Sequence, residues 1–418
     1  MHPFEDANEI LEGTRLVERF LRYVRIDTQS VEESNACPSS PGQLELAKML
    51  VEELKEIGLE DAAVDKNGYC LATLPGSRPG TIGLIAHLDT APQYTGKNVK
   101  PIVHEDYDGR PIRLKNDNVI DPTETKELKK CIGDTIITSD GTTLLGADDK
   151  AGIAVIMSAL EILHARPDLP RPTVRVCFNP EEEVGRGADR FPLAEFGATV
   201  AFTLDGGFIG EANTETFSAD KATVTFRGVS VHPGMAKGKM VNALRFMGRF
   251  LDRLPTEKSP ETTEKREGFI HPTDISGDAA EAKVNLILRS FDDDELAGHG
   301  VEVKKLAEEM RAEEPRLNVK VEIKEQYRNM RPRLDQHPEI MERLVAALRA
   351  AGIQTFHEPI RGGTDGSRLT AMGMPTPNLF AGGVNFHGPT EWISTRAMAL
   401  STCTILNLVQ IYGGGGKA

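Results

Sequence analysis

The chain has 418 residues, with 49 Lys and Arg against 63 Asp and Glu, for a net charge of −14. An acidic chain without long basic runs is a poor binder of phosphate backbones, so nucleic-acid binding is not expected. No apolar run approaches the ~20 residues needed to cross a bilayer, so no membrane span is expected either.

The length allows two or three domains. Residues 1–8 are polar and acidic, unlike a secretory signal or transit peptide. Cys37, Cys70, Cys131, Cys177 and Cys403 are scattered, odd in number and without a C-x-x-C pair. This usage suits thiols in a reducing cytoplasm.

In chain order, residues 10–25 carry Leu11, Leu16, Val17, Phe20, Leu21 and Val24 at helical spacing, and residues 43–57 repeat the pattern. A buried strand is expected at 81–86. The stretch 93–131 has little periodicity and several Pro and Gly residues, so it reads as a long surface excursion. A helix is expected over 149–165, and buried strands over 173–178 and 198–204. Strands alternating with helices predict an α/β domain with helices on both faces of a sheet.

The region 218–330 has a different pattern. A half-exposed strand at 221–227 places Ala222, Val224 and Phe226 on one side. A helix at 241–254, strands at 269–274 and 283–290, a helix at 294–311 and a strand at 318–324 follow. The order β-α-β-β-α-β is that of a ferredoxin-like sandwich. Beyond residue 331 the first style returns: helix 338–350, a strand near 353–358, a helix after Asp365, a strand near 376–380 and a final helix 395–409. One small domain is therefore expected inside a larger one, with 1–216 and 329–418 forming the discontinuous domain and 217–328 the insert.

Chemistry-bearing residues gather at the expected strand ends. His87 and Asp89 lie two apart at the end of an apolar strand, where side chains share a face. Open α/β sheets place their sites at that edge. Neutral imidazole ligates metals, and a carboxylate beside it can fix its tautomer. Gly146-Ala-Asp-Asp-Lys-Ala-Gly152 puts two carboxylates at a helix start, where an Asp could cap the helix or bridge two cations. Glu181, Glu182 and Glu183 follow another apolar strand; three adjacent carboxylates repel unless a cation compensates. Asp205 ends a further strand, and His387 lies between Gly-rich turns. Each feature alone has a structural explanation. Together they form a ligand set for two divalent ions of the zinc type.

The motifs His87-Leu-Asp-Thr90, Gly146–Gly152, Pro180-Glu-Glu-Glu-Val-Gly185, Thr203-Leu-Asp-Gly-Gly207, Val231-His-Pro-Gly234, Ile360-Arg-Gly-Gly-Thr-Asp-Gly366 and Phe386-His-Gly388 resemble, in order, those of the M20 metallopeptidases. The resemblance covers nearly the whole chain and is strongest to the branch that removes the first residue of tripeptides. It implies a zinc-peptidase-like catalytic domain with a central mixed sheet, and a ferredoxin-like α+β insert acting as lid or dimerisation domain. It further implies two Zn²⁺, one held by His87 and Asp205, the other by Glu183 and His387, with Asp148 bridging them. Cobalt and manganese accept the same donors.

By the same resemblance, Glu182 is the general base that activates a metal-bridging water, and Asp89 orients His87. His232 matches an oxyanion-stabilising histidine, often supplied by a partner subunit, which suggests a homodimer through the insert. Arg289 and Arg361 match basic positions suited to a peptide carboxylate. The substrate implied is a small peptide; the alternative is a related dipeptidase or N-acyl amino acid amidohydrolase. Two departures stand out. Glu181 replaces a more usual Asp, at a position expected to matter little, and the stretch 117–130 differs from the family and is expected to reshape one rim of the cleft.

Overall fold

The computed structural model describes residues 3–414. The chain divides into two compact units. Among the described residues, one comprises 3–214, 332–358 and 364–414; the other comprises 215–331 and the short segment 359–363.

The larger unit is built on a seven-stranded mixed sheet. Its strands run in the order Ala63–Val64, Cys70–Leu74, Thr173–Asn179, Thr81–His87, Val200–Gly206, Asn378–Phe380 and Ala212–Asn213. The four strands from Thr173–Asn179 to Asn378–Phe380 are parallel, and the flanking pairs are antiparallel. Alternation along the strands feeds two cores, as the two-residue period of a strand requires. Leu84, Ala86, Val176, Phe178, Phe202 and Leu204 pack in the larger core with helices Pro41–Ile57, Ala147–Ala165 and Thr395–Tyr412. Ile85, Cys177 and Ala201 join the opposite core with Phe196 and Leu369, from helices Leu193–Phe196 and Asp365–Ala371. Helices therefore cover both faces.

Three local expectations need correction. The 10–25 pattern is two helices, Ala7–Gly13 and Leu16–Tyr23. The Thr14 hydroxyl donates to the Ile10 carbonyl and accepts from Leu16 N–H, satisfying a helix end inside one apolar stripe. Residues 353–358 form no strand; their pairing is limited to an isolated bridge between Glu211 and Phe356. The stretch 93–131 is more than a surface excursion. Tyr107, Ile112, Ile120, Leu128 and Cys131 bury themselves around Trp392 in a small core of their own. The strands there are two or three residues long, too short for periodicity to register. Ile102–His104 joins a second sheet, in the order Gly383–Val384, Trp392–Ser394, Ile136–Thr138, Ile102–His104. That sheet frames the loop carrying His387.

The second unit is an antiparallel sheet in the order Phe269–Gly277, Glu281–Ser290, Ser218–Arg227, Asn318–Tyr327, with helices Ala243–Asp252 and Asp293–Glu313. Numbered along the chain, the strands lie 2-3-1-4, the ferredoxin-like arrangement. Ala222, Val224 and Phe226 are fully buried in its core, on one face of the strand.

Candidate metal centre

The larger unit brings His87, Asp148, Glu183, Asp205 and His387 together at one edge of its sheet. Strand Thr81–His87 ends at the imidazole, which is only 2% exposed. Asp205 lies near the end of the adjacent parallel strand Val200–Gly206. Asp148 opens helix Ala147–Ala165, and Glu183 follows strand Thr173–Asn179. His387 sits at a φ of 61° in the loop between Gly383–Val384 and Trp392–Ser394. Gly152 draws the helix close to the strand of Asp205: a Cβ there would lie 2.3 Å from the Leu204 carbonyl oxygen.

Asp148 is the centre of the arrangement. Its Oδ1 lies 2.8 Å from His87 Nε2 and its Oδ2 lies 3.1 Å from His387 Nε2. His387 Nε2 is also 3.1 Å from Glu183 Oε2, and His87 Nε2 is 3.6 Å from Asp205 Oδ1. The other Glu183 oxygen, Oε1, is buried without a hydrogen-bond partner. A buried carboxylate oxygen left bare is costly unless a cation meets it. The five side chains thus fit a pair of divalent ions, with Asp148 offering one oxygen to each side.

The charges point the same way. Burial, followed by the charge of Asp148, raises Glu183 to about 8 and Asp205 to about 6. Burial opposes protonation of the two histidines, yet hydrogen bonds to Asp148 and its neighbours lift His387 to about 10 and His87 well above its ordinary value. Burial and the charges of Asp205 and Asp365 raise Glu182. Without cations the cluster holds protons that a metal would displace.

The two adjacent aspartates take different roles. Asp149 also lies within ligand distance of His87 and Asp205. Its oxygens, however, accept from the N–H groups of His87 and Gly152, both at 3.2 Å, which makes it the internal cap. Asp148 is left free to face both imidazoles. Lys150 points elsewhere, donating to the Ile26 carbonyl at 2.8 Å.

Asp89 is completely buried. His87 Nδ1 faces the backbone carbonyl of Asp89 at 3.0 Å and its carboxylate at 3.4 Å. The Asp89 carboxylate also accepts from Glu182 N–H at 3.0 Å and Glu183 N–H at 3.1 Å. The Glu182 carboxylate accepts no hydrogen bond among the described residues.

Glu181 is not the indifferent position expected. It is 1% exposed and adopts φ 69°. Its carboxylate accepts from Ser39 N–H at 2.7 Å, Gln43 at 2.9 Å and Arg186 at 2.6 Å, tying the glutamate turn to the start of helix Pro41–Ile57. Two other buried acids escaped the sequence reading. Asp365 accepts from Asn179 at 2.5 Å, and Glu391 accepts from three backbone N–H groups around Asp148. Asp365 lies in the Ile360–Gly366 motif and Glu391 in none, and nothing in residue spacing signals a partner 186 or 243 residues away.

The remaining candidates belong to the second unit. His232 is exposed, its Nδ1 accepting from Gly234 N–H at 3.2 Å. Arg289 stacks 5.5 Å from the Tyr327 ring centre and donates to the Leu288 carbonyl and Gln326. Arg361 lies between the rings of Phe217 and Phe269 and donates to the carbonyls of Thr263, Lys265 and Glu267.

Residues 140–410 match the model of Peptidase family M20/M25/M40. The chain belongs to that family. This M20/M25/M40 member is 46% identical over 402 residues to Peptidase T of Geobacillus thermodenitrificans, covering 95% of this chain and 98% of the relative. Its fold is similar to that of a tripeptidase from Staphylococcus aureus, with a TM-score of 0.73 and 21% identity over 96% of this chain and 98% of the other. It is also similar to the Bacillus subtilis YXEP protein, described as a dinuclear metal binding peptidase of the M20 family. There the TM-score is 0.66, with 16% identity over 97% and 99% of the two chains.

Proposed function

We propose that this metallo-aminopeptidase releases the first residue of tripeptides at a centre of two zinc ions. The observation that carries the reading is the Asp148 carboxylate poised between two imidazoles, each beside a second carboxylate. His87 and Asp205 would hold one ion, Glu183 and His387 the other, and Asp148 both. Ions held there supply Lewis acidity toward the scissile carbonyl and make water a nucleophile near neutral pH.

The chain's own groups do the rest. Glu182 takes the proton released as water adds to the carbonyl carbon, then gives it to the departing amine nitrogen as the C–N bond breaks. Its carboxylate, free of hydrogen bonds among the described residues, suits this two-way role. Asp89 fixes both the His87 ring and the backbone under Glu182. His232 is assigned to the developing oxyanion, and Arg289 and Arg361 to the peptide carboxylate. The second unit is assigned as a lid and homodimer surface. A cytoplasmic location suits the five cysteines, none of which forms a disulfide. No helix of the described residues is long and apolar enough to cross a membrane.

The test is an assay of the zinc-loaded protein against free tripeptides, dipeptides and N-acyl amino acids, with products identified by mass spectrometry. The expected outcome is one amino acid and one dipeptide from each tripeptide. Preferred cleavage of acyl amino acids would replace this reading with that of an amidohydrolase.

A further inference from the structure

Helix Ala147–Ala165 begins in an unusual way. Asp148 and Asp149 have non-helical backbone angles, so regular helix begins only after Asp149, whose carboxylate caps it by accepting from Gly152 N–H. The carboxylate of Asp148, in the first turn, is turned toward the two imidazoles. That of Asp149 serves only His87 and Gly152 N–H. The N–H groups of Leu145, Gly146 and Asp148, in the irregular segment that presents the central carboxylate, therefore need an acceptor from elsewhere.

The missing acceptor comes from 243 residues away. Glu391, 1% exposed, accepts from Leu145 N–H at 2.7 Å and Gly146 N–H at 2.8 Å through Oε2, and from Asp148 N–H at 3.1 Å through Oε1. Glu391 lies four residues after His387 on the same loop. Its own backbone is anchored: Glu391 N–H donates to the Gly388 carbonyl, and the next residue, Trp392, is fully buried and paired with Thr138.

We infer that Glu391 is a positioning residue for the metal centre, a brace supplied from the His387 loop that sets where the Asp148 carboxylate stands relative to His387. One side chain thereby joins the two ligand-bearing segments through three backbone N–H groups. This rests on the dizinc reading above. Both oxygens are in use, so the amide of Gln cannot replace the carboxylate: its NH₂ end would face an N–H group. Asp is a methylene too short to reach all three donors.

Metal-free wild type, Glu391→Gln and Glu391→Asp would be titrated with Zn²⁺ against a chromophoric chelator. Circular dichroism would check the fold, and tripeptide kcat and KM would be measured at saturating Zn²⁺. For both variants, the expected result is zinc affinity weakened ~10- to 100-fold, the range seen when groups behind metal ligands are removed. A lowered kcat, a KM within about twofold of wild type and an unchanged metal-free spectrum are expected with it. Glu391→Asp should retain more affinity than Glu391→Gln, because it keeps the charge. Wild-type zinc affinity and kcat in both variants would overturn the inference. So would variants that lose only thermal stability and show full affinity and kcat at low temperature, since that is a structural brace without a role at the metal. Wild type that binds no zinc would instead overturn the dizinc reading itself.

Discussion

Asp89 holds Glu183 by its backbone: Asp89 Oδ2 accepts from Glu183 N–H at 3.1 Å, while Oδ1 accepts from Glu182 N–H at 3.0 Å. The same residue faces His87 Nδ1 with its carbonyl. A single buried side chain thus fixes the ring of one candidate ligand and the chain that carries a second ligand and the proposed base. Asp89→Ala should leave two partly buried N–H groups without their protein partner, each costing up to about 1–3 kcal/mol. The expected outcome is a lower Tm together with ~10- to 100-fold weaker metal binding or activity. Asp89→Asn, which keeps one acceptor oxygen, should fall between. Wild-type metal affinity in Asp89→Ala would refute the coupling.

Much of this arrangement was legible in the residues, and the reason is physical. Long apolar strands such as Thr81–His87 and Thr173–Asn179 end in polar residues, and parallel strands align those ends on one edge. The order of strands and helices likewise announced the ferredoxin-like unit before its pairing was seen. What escaped were contacts that depend on no period. Glu391 and Glu181 look like ordinary surface acids until the fold brings backbone N–H groups to them. The small core around Trp392 was hidden because its strands are too short to alternate visibly.

Metal removal should destabilise the protein. Asp148, Glu183 and Asp205 carry up to three negative charges against four from two Zn²⁺, so the loaded cluster is compensated and the empty one must take up protons. A ligand present at a thousand times its Kd contributes about 4 kcal/mol per site. EDTA should therefore lower the Tm seen by calorimetry, and added Zn²⁺ should restore it. A melting curve indifferent to EDTA, with catalysis intact, would remove the basis for the whole site.

Asp140 offers a pH test away from the proposed ligands. It is 4% exposed, and hydrogen bonds from Thr142, opposed by burial and aided by Lys115, hold its pKa at about 2. Lys115 Nζ donates to Oδ2 at 3.0 Å. A depressed carboxylate pKa means the unfolded chain binds the proton more tightly. The stabilisation is therefore present above the unfolded value near 4 and disappears as pH falls through about 2. Asp140→Asn should cost roughly 1–2 kcal/mol at pH 7, the exposed Lys115 end contributing least. Denaturant titrations should show the gap to wild type closing between pH 4 and pH 2. A gap of constant size across that range would mean that the charge of Asp140 is not what stabilises the turn.

Glu182 provides the sharpest separation of chemistry from metal binding. Its backbone N–H is pinned by Asp89, whereas its carboxylate accepts no hydrogen bond among the described residues and lies close enough to Asp205 and His87 to feel their charges. Glu183, one residue on, has its carboxylate 3.1 Å from His387 Nε2. Removing the first should abolish proton transfer while sparing the ligands; removing the second should strip a ligand. Glu182→Ala and Glu182→Gln are therefore expected to lower kcat by ~10²- to 10⁴-fold, the usual contribution of a positioned general base. Their zinc content should stay at two per chain by elemental analysis, the stoichiometry of the proposed centre. Glu183→Ala should lose zinc as well as turnover. If Glu182→Gln keeps its activity, the base lies elsewhere. If it loses zinc in step with activity, Glu182 is a ligand and the roles of the two adjacent glutamates must be exchanged.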